Sequence, residues 1–257
     1  MRRTILITGA SSGIGKALAC RYAGKDCRLA LLGRNEKRLA DSANECRALG
    51  AGVTVAAIDV RDRPALATWI GDFDRIAPVD LVIANAGIME GTRPGGDIEP
   101  ADAAYHSVET NVLGVLNTVQ PLLPRMMARG RGQIAIISSL AGLTPLPDAP
   151  SYSASKSAVI NYGLSLRALL GPRGIRVSVI CPGYIDTLMM RRELGAKPFK
   201  MTSEKAAELI CRGLDRNRSL IVFPHLFGLM TRIGGLLPDR IRRWTMGPFR
   251  FTVSDAD

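Results

Sequence analysis

A phenol and an ammonium stand four residues apart in the stretch SYSASKSAVI, as Tyr152 and Lys156. On a helix that spacing puts both side chains on one face. A free tyrosine titrates near pH ~10, too high for proton transfer at neutral pH. A neighbouring ammonium stabilises the phenolate. The spacing therefore predicts a Tyr152 whose pKa is lowered, able to act as general acid in one direction and general base in the other. A surface tyrosine beside a surface lysine has the same spacing, so the pair needs support from other residues.

The elements that would position the pair are legible in the apolar pattern. β-type runs occur at 4–8 (TILIT), 27–32 (CRLALL), 53–58 (VTVAAI), 80–85 (DLVIAN), 133–138 (QIAIIS), 175–180 (IRVSVI) and 219–223 (SLIVF). Helical patterns lie between them, at about 13–24, up to 49, up to 75, at 100–129 and at 149–170. Strands alternating with helices predict an α/β chain with a doubly wound, mostly parallel, seven-stranded sheet covered on both faces. The absence of repeats or a long linker predicts one domain over 1–223, with 224–257 as an extension packed on it or lying at a surface.

The turn after the first strand reads TGASSGIG, with glycines at Gly9, Gly13 and Gly15 around Ser11, Ser12 and Ile14. Small residues there let the main chain approach a pyrophosphate, and a helix N-terminus offers it unpaired N–H groups. The second strand ends LLGRNEKRL, with Gly33 where an acid would bind an adenosine ribose, followed by Arg34. An arginine can pair with a 2′-phosphate that an acid would repel, so NADP(H) is favoured over NAD(H). Asp59, followed by Val60, ends the third strand and can accept from an adenine amino group. Asn85, Ala86 and Gly87 end the fourth, leaving room for a ribose. All lie at carboxyl ends of strands, where open α/β sheets bind ligands.

TGASSGIG, the NAG at 85–87, Asn111 in NVLG, Ser139 ahead of YSASK, and Pro182-Gly183 occur in that order over about 4–187. Together they resemble the classical short-chain dehydrogenase/reductase family, whose fold is of the Rossmann type. The resemblance implies an NAD(P)-dependent oxidoreductase acting on carbonyl or secondary alcohol groups, the hydride being carried by the cofactor. It implies that Ser139 holds the substrate oxygen, that Tyr152 moves the proton and that Lys156 bonds the nicotinamide ribose. Asn111 would hold a water in a proton relay. Ile185 and Thr187 correspond to positions beside the nicotinamide carboxamide and a phosphate. The family also implies a homo-oligomer, dimer or tetramer.

Leu140, Leu146, Tyr184 and Met189 are the expected pocket wall, which predicts a hydrophobic carbonyl or alcohol ahead of a sugar. The extension departs from the usual family ending. It mixes Phe, Leu, Met and Trp with Arg232, Arg240, Arg242, Arg243 and Arg250. That composition suits an anionic membrane surface, but a flap over the pocket or a subunit contact fits it as well.

Composition excludes several other classes. The chain has 257 residues and a net charge of +11, with 13 Lys/Arg against 5 Asp/Glu over 191–250. No apolar run reaches membrane-spanning length and no export signal is read at the start. Five unpatterned cysteines and two isolated histidines predict reduced thiols and no metal site. The expected place is the cytoplasm, with contact to the inner face of a membrane as the extension's option. No nucleic-acid-binding motif accompanies the basic surplus, so no nucleic acid is expected. A catalytically silent cofactor-binding regulator is the alternative. It would lack one of Asn111, Ser139, Tyr152 or Lys156, and all four are present.

Overall fold

The computed structural model describes residues 3–195, 197, 199–226, 228, 230 and 251–254. Seven parallel strands are ordered β3-β2-β1-β4-β5-β6-β8: β1 (Arg3–Thr8), β2 (Cys27–Gly33), β3 (Gly52–Ala57), β4 (Leu81–Ala84), β5 (Gly132–Ile137), β6 (Ile175–Pro182) and β8 (Leu220–Phe223). The connecting helices are long enough to cross one face and bring the next strand in parallel. The order reverses between β1 and β4, which opens a crevice at their carboxyl ends.

The central strands are near-continuous Ile, Leu, Val and Ala because both faces are covered. On one side α1 (Gly13–Tyr22), α2 (Glu36–Ala48) and α9 (Ser203–Asp215) pack on Ile5, Ile7, Leu29 and Leu31. On the other, α3 (Arg63–Ile76), α5 (Gly114–Val119), α6 (Leu123–Arg129) and α7 (Pro150–Leu170) pack on Leu6, Val82, Ile134 and Val177. Alternate residues of a strand thus feed opposite cores.

The helix predicted over 100–129 is a bent series. α4 (Ala101–Val108) runs into a π-turn at Glu109–Leu113, then α5, a 3-10 turn at Gln120–Leu122 and α6. Pro121 and Pro124 lack the N–H that an unbroken α-helix needs. The π-turn carries Asn111 inward, fully buried. The run read as 175–180 continues to Pro182, so Pro182 ends the sixth strand rather than interrupting it.

Four elements were not foreseen: α8 (Leu188–Arg191), β7 (Glu193–Leu194), α9 and β9 (Thr252–Val253). β7 follows the short α8 and pairs antiparallel with β9. The chain end therefore returns to the body: Phe251 N–H donates to Asp148 Oδ2 at 3.1 Å and Val253 N–H to the Thr92 carbonyl at 2.9 Å. Residues 231–250, with the five arginines read from the extension, lie outside the described residues, and both readings of that segment lie there with them.

The entry to β4 hangs on one buried carboxylate. Asp74, with its side chain wholly shut from water, accepts from Val79 N–H at 2.7 Å and from the Arg129 guanidinium at 2.8 and 3.2 Å. Removing one partner of a buried pair strands the other. Asp74→Ala should lower unfolding free energy by about 3–5 kcal/mol, read as a shift in urea midpoint at unchanged slope.

Candidate active site

A cleft of about 490 Å³ opens over the carboxyl ends of the strands, on both sides of the β1–β4 reversal. It is lined by Gly9, Ser11, Ser12, Gly13, Ile14, Arg34, Asp59, Val60, Asn85, Ala86, Gly87, Ser139, Tyr152, Lys156, Pro182, Gly183, Ile185, Thr187 and Met189. Gly15 and Asn111 stand behind this surface and support it. Leu140, Leu146 and Tyr184 do not line it.

The glycine turn is built to let backbone approach backbone. Gly9 has φ +67°, a conformation rare for residues with a side chain. A Cβ on Gly15 would fall 2.2 Å from the Gly9 carbonyl oxygen and 2.5 Å from Asn85 Nδ2. Asn85 Nδ2 bonds the carbonyls of Thr8 and Gly9 at 3.0 and 3.2 Å, and Thr8 Oγ1 accepts from the N–H groups of Asn85 and Ala86. Asn85 thus spends its amide on holding the turn while its surface faces the cleft. Ser12, at the N-cap of α1, makes no side-chain capping bond, which leaves its hydroxyl and the helix N-terminus facing the cleft. A side-chain-free cradle ending in helix N–H groups fits a dinucleotide's phosphates.

Three cationic or carboxylate groups mark the adenosine end. Arg34 is more than half exposed and stands 3.8 Å from Asp59. Arg38, which the motif did not single out, lines the same cleft. The missed signal is its place one turn into α2, whose N-cap Asn35 accepts from Arg38 N–H at 2.9 Å. Burial pushes the Asp59 carboxyl up, but hydrogen bonds and charge from Arg61 and the charge of Arg34 hold it below the usual range. Both of its oxygens already accept from Arg61.

The chemical end is dry. Tyr152 and Lys156 are 8% and 5% exposed on α7. Lys156 Nζ lies 5.8 Å from the centre of the Tyr152 ring and donates to the Ile137 carbonyl at 3.2 Å. Ser139 Oγ accepts from Ala141 N–H at 3.1 Å and lines the cleft together with Tyr152. The expected lowering of the phenol is not found. Burial pushes Tyr152 up to about 12, the neighbouring Ser139 hydroxyl acting against it and the Glu193 charge with it. Burial likewise brings Lys156 down to about 8. In a dry site desolvation disfavours both charged forms, and it outweighs an ammonium that sits over the ring rather than at the hydroxyl.

Asn111 reaches the site through others. Its Oδ1 accepts from Ile88 N–H at 2.8 Å and its Nδ2 donates to the Ile88 carbonyl and Ser155 Oγ, both at 3.0 Å. Its carboxamide is therefore engaged by protein, flanking Gly87 opposite Lys156 Nζ. Thr110, not anticipated from sequence, lines the cleft, and its Oγ1 is buried without a hydrogen-bond partner among the described residues.

The substrate wall needs correction. Leu140 packs into the core against Ile160, Val179 and Cys181, because Leu140–Gly142 form a 3-10 turn against β6 and α7. Leu146 and Met189 pack instead on an apolar cluster around Tyr152 that includes Met89, Ala149, Phe251 and Val253. Tyr184 is half-buried beside them, raised to about 12 by burial and by the charges of Glu193 and Tyr152. Phe251 and Val253 were invisible as members of this cluster, since they come from a segment about a hundred residues downstream of the tyrosine.

A doubly wound sheet with a glycine turn, a cationic adenosine end and a dry Ser–Tyr–Lys constellation defines a dinucleotide-binding oxidoreductase. A family model for short chain dehydrogenases matches residues 3–197. An uncharacterized oxidoreductase of Myxococcus xanthus is 34% identical over 92% of this chain and 93% of its own. A short-chain dehydrogenase from Sphingobium yanoikuyae in complex with NADPH superposes with a TM-score of 0.79 at 26% identity, covering 96% of each chain. One from Mycobacterium paratuberculosis bound to NAD gives 0.75 at 25%, covering 86% of this chain and 94% of that one. The chain belongs to the short-chain dehydrogenase family and is an NAD(P)-dependent oxidoreductase of that kind. Among the described residues no helix is long and apolar enough to cross a membrane.

Lys156 gives the fold a pH signature. Its folded pKa of about 8 lies below its ordinary 10.5. Between those values the unfolded chain binds the extra proton, so this lysine's contribution to stability rises with pH. Below pH 8 it is a constant penalty. The difference in melting temperature between wild type and Lys156→Met should therefore move in the wild type's favour from about pH 8 to 10.5, and stay flat below.

Proposed function

We propose that the protein transfers a hydride between NADP(H) and an apolar ketone, aldehyde or secondary alcohol, with Tyr152 moving the proton. The observation that carries this reading is the buried pair of Tyr152 and Lys156, with a half-buried Ser139, at one end of a cleft whose other end holds Arg34 and Arg38. The nicotinamide supplies or accepts the hydride when bound. Ser139 and Tyr152 present two hydroxyls to one substrate oxygen. A phenol that stays protonated in the unliganded site is ready to donate to that oxygen as negative charge gathers on it. Lys156, donating to the Ile137 carbonyl, holds its remaining N–H groups toward the ribose side of the cleft. Asn111 fixes the Ile88 segment against α7 through Ser155, so its role here is to position.

Two guanidiniums at the end of β2 support the preference for NADP(H). They can grip a 2′-phosphate, and no carboxylate stands at Gly33 to repel it. The cluster of Met89, Leu146, Met189 and Phe251 beside Tyr152 supports an apolar substrate. Met adapts to irregular shapes, and water is excluded from the reacting end.

Titration with NADPH and NADH followed by cofactor fluorescence, and then turnover of apolar ketones, tests both halves. Tyr152→Phe should bind NADPH as wild type does while turnover falls about 10²- to 10⁴-fold. Near-normal turnover would remove Tyr152 from the chemistry. Arg34→Asp should weaken NADPH about ten- to a hundred-fold, the loss of one charge-assisted contact plus repulsion, and leave NADH unharmed. An unchanged ratio would show that Arg34 does not read the phosphate.

A further inference from the structure

β7 consists of Glu193 and Leu194, opposed to Val253 and Thr252 of β9. Directly opposed residues in an antiparallel pair share a face. Val253 is fully buried in the apolar cluster around Tyr152. Glu193 therefore points to the same side, while Leu194 is half exposed. The register turns a carboxylate toward the reacting phenol and a leucine toward water, the reverse of what burial alone favours.

The carboxylate is nearly sealed in. Glu193 is 2% exposed, and its Oε1 is shut from water with no hydrogen-bond partner among the described residues. Its charge reaches both Tyr152 and Tyr184 and pushes each phenol up. Burial lifts its own pKa to about 7, the Lys197 charge acting the other way. Lys197 does not pair with it, since its Nζ donates to the main-chain carbonyl of Glu193 at 2.6 Å. The next buried carboxylate, Glu90, is treated differently: Arg93 and Arg192 reach it at 3.0 and 3.3 Å. Buried polar groups without partners are rare and unfavourable, and beside the phenol the missing partner is naturally a ligand atom.

We propose that Glu193 is a specificity-determining residue that accepts a hydrogen bond from a donor group on the substrate. The substrate is then an otherwise apolar carbonyl or alcohol that carries one hydroxyl or amino group some carbons away from the reacting centre. This rests on the reductase reading above and narrows its substrate class. A site built around one polar partner rejects the analogue that lacks it, because the protein group is then left buried and unpaired.

The test uses matched ketones that are identical except for a hydrogen, hydroxyl or amino group two to four carbons from the carbonyl. NADPH oxidation is followed with wild type, Glu193→Gln and Glu193→Leu, each checked for an unchanged melting temperature and NADPH affinity. Wild type should favour a hydroxyl- or amino-bearing member by about tenfold or more in kcat/KM. Glu193→Leu should bring that ratio to about one while turning over the plain ketone at least as well. Glu193→Gln should keep part of the hydroxyl preference and lose more of any amino preference, since its charge is gone. Wild type favouring the plain ketone in every pair, or a ratio surviving in Glu193→Leu, overturns the proposal. Equal loss on all members in both variants overturns it too, by making Glu193 a support for Tyr152. If Glu193→Leu does not fold, the wild-type ratio and the Gln variant decide. Wild type reducing no ketone of any series is a different failure: it strikes the reductase reading itself.

Discussion

The site rests on how closely helix α7 is pressed against the chain leaving β5. Ser138 Oγ donates to the Lys156 carbonyl at 2.7 Å, and Ser153 Oγ to the Ala141 carbonyl at 2.8 Å. A Cβ on Gly142 would fall 2.7 Å from the Lys156 carbonyl carbon. Small residues at Ala141, Gly142, Ser153 and Ser155 make that approach possible, and the approach removes Tyr152 and Lys156 from water. Everything electrostatic about the pair follows. Desolvation moves the phenol up and the ammonium down, each toward its neutral form. Tightness deeper in the same helix serves the same end: a side chain on Gly163 would strike Val179 of β6, so α7 cannot lift without opening the core.

The cofactor half is tied together by a second compact knot. Thr8, Gly9, Gly15 and Asn85 bind the end of β1 to the end of β4, across the point where the strand order reverses. That knot holds the crevice open at a fixed width. The two halves meet at Gly87, where a Cβ would fall 3.0 Å from Asn111 Oδ1 and 3.2 Å from Lys156 Nζ. A dinucleotide laid along the crevice would run from Arg34 and Arg38 past the α1 N-terminus to Lys156, so the parallel sheet sets the distance between recognition and chemistry.

What was legible in the sequence follows from which constraints are local. The central strands of the main sheet show as Ile, Leu and Val runs because they are buried on both faces, a property of the strand itself, while the edge strand β3 has no buried residue. The glycine turn shows because its residues must be small within a few positions of each other. Tyr152 and Lys156 show because one helix carries both. The bent course of 100–129 was hidden, since a π-turn alters hydrogen bonding without altering the apolar period. Leu140 was misplaced because a 3-10 turn rotates it away from where an extended continuation of β5 would aim it. The direction of the tyrosine shift was misread for the same kind of reason: spacing reveals the nearby charge but not the loss of water. Phe251, Val253 and Glu193 could not be found at all. Their significance comes from β7 meeting β9, a pairing of two residues with two, which leaves no period to detect.

That late pairing is why the substrate side differs in kind from the cofactor side. The cofactor cradle is made by turns bound into the central sheet, where every strand is held on both edges or capped by a core helix. The apolar wall beside Tyr152 is made by α8, β7 and the returning residues 251–254, held by contacts between segments rather than by the sheet. Arg192 joins them: it reaches Glu90 on one side and the Ser254 carbonyl on the other, at 3.1 to 3.5 Å. Arg93 makes the same two attachments, to Glu90 and to the carbonyls of Val253 and Ser254. A wall fastened by charge-assisted bonds to main-chain carbonyls can change its side chains without disturbing the fold, since the carbonyls remain whatever the residue. The residues proposed for the reaction therefore sit in the part of the molecule that sequence patterning constrains most, and those proposed for selectivity in the part that it constrains least.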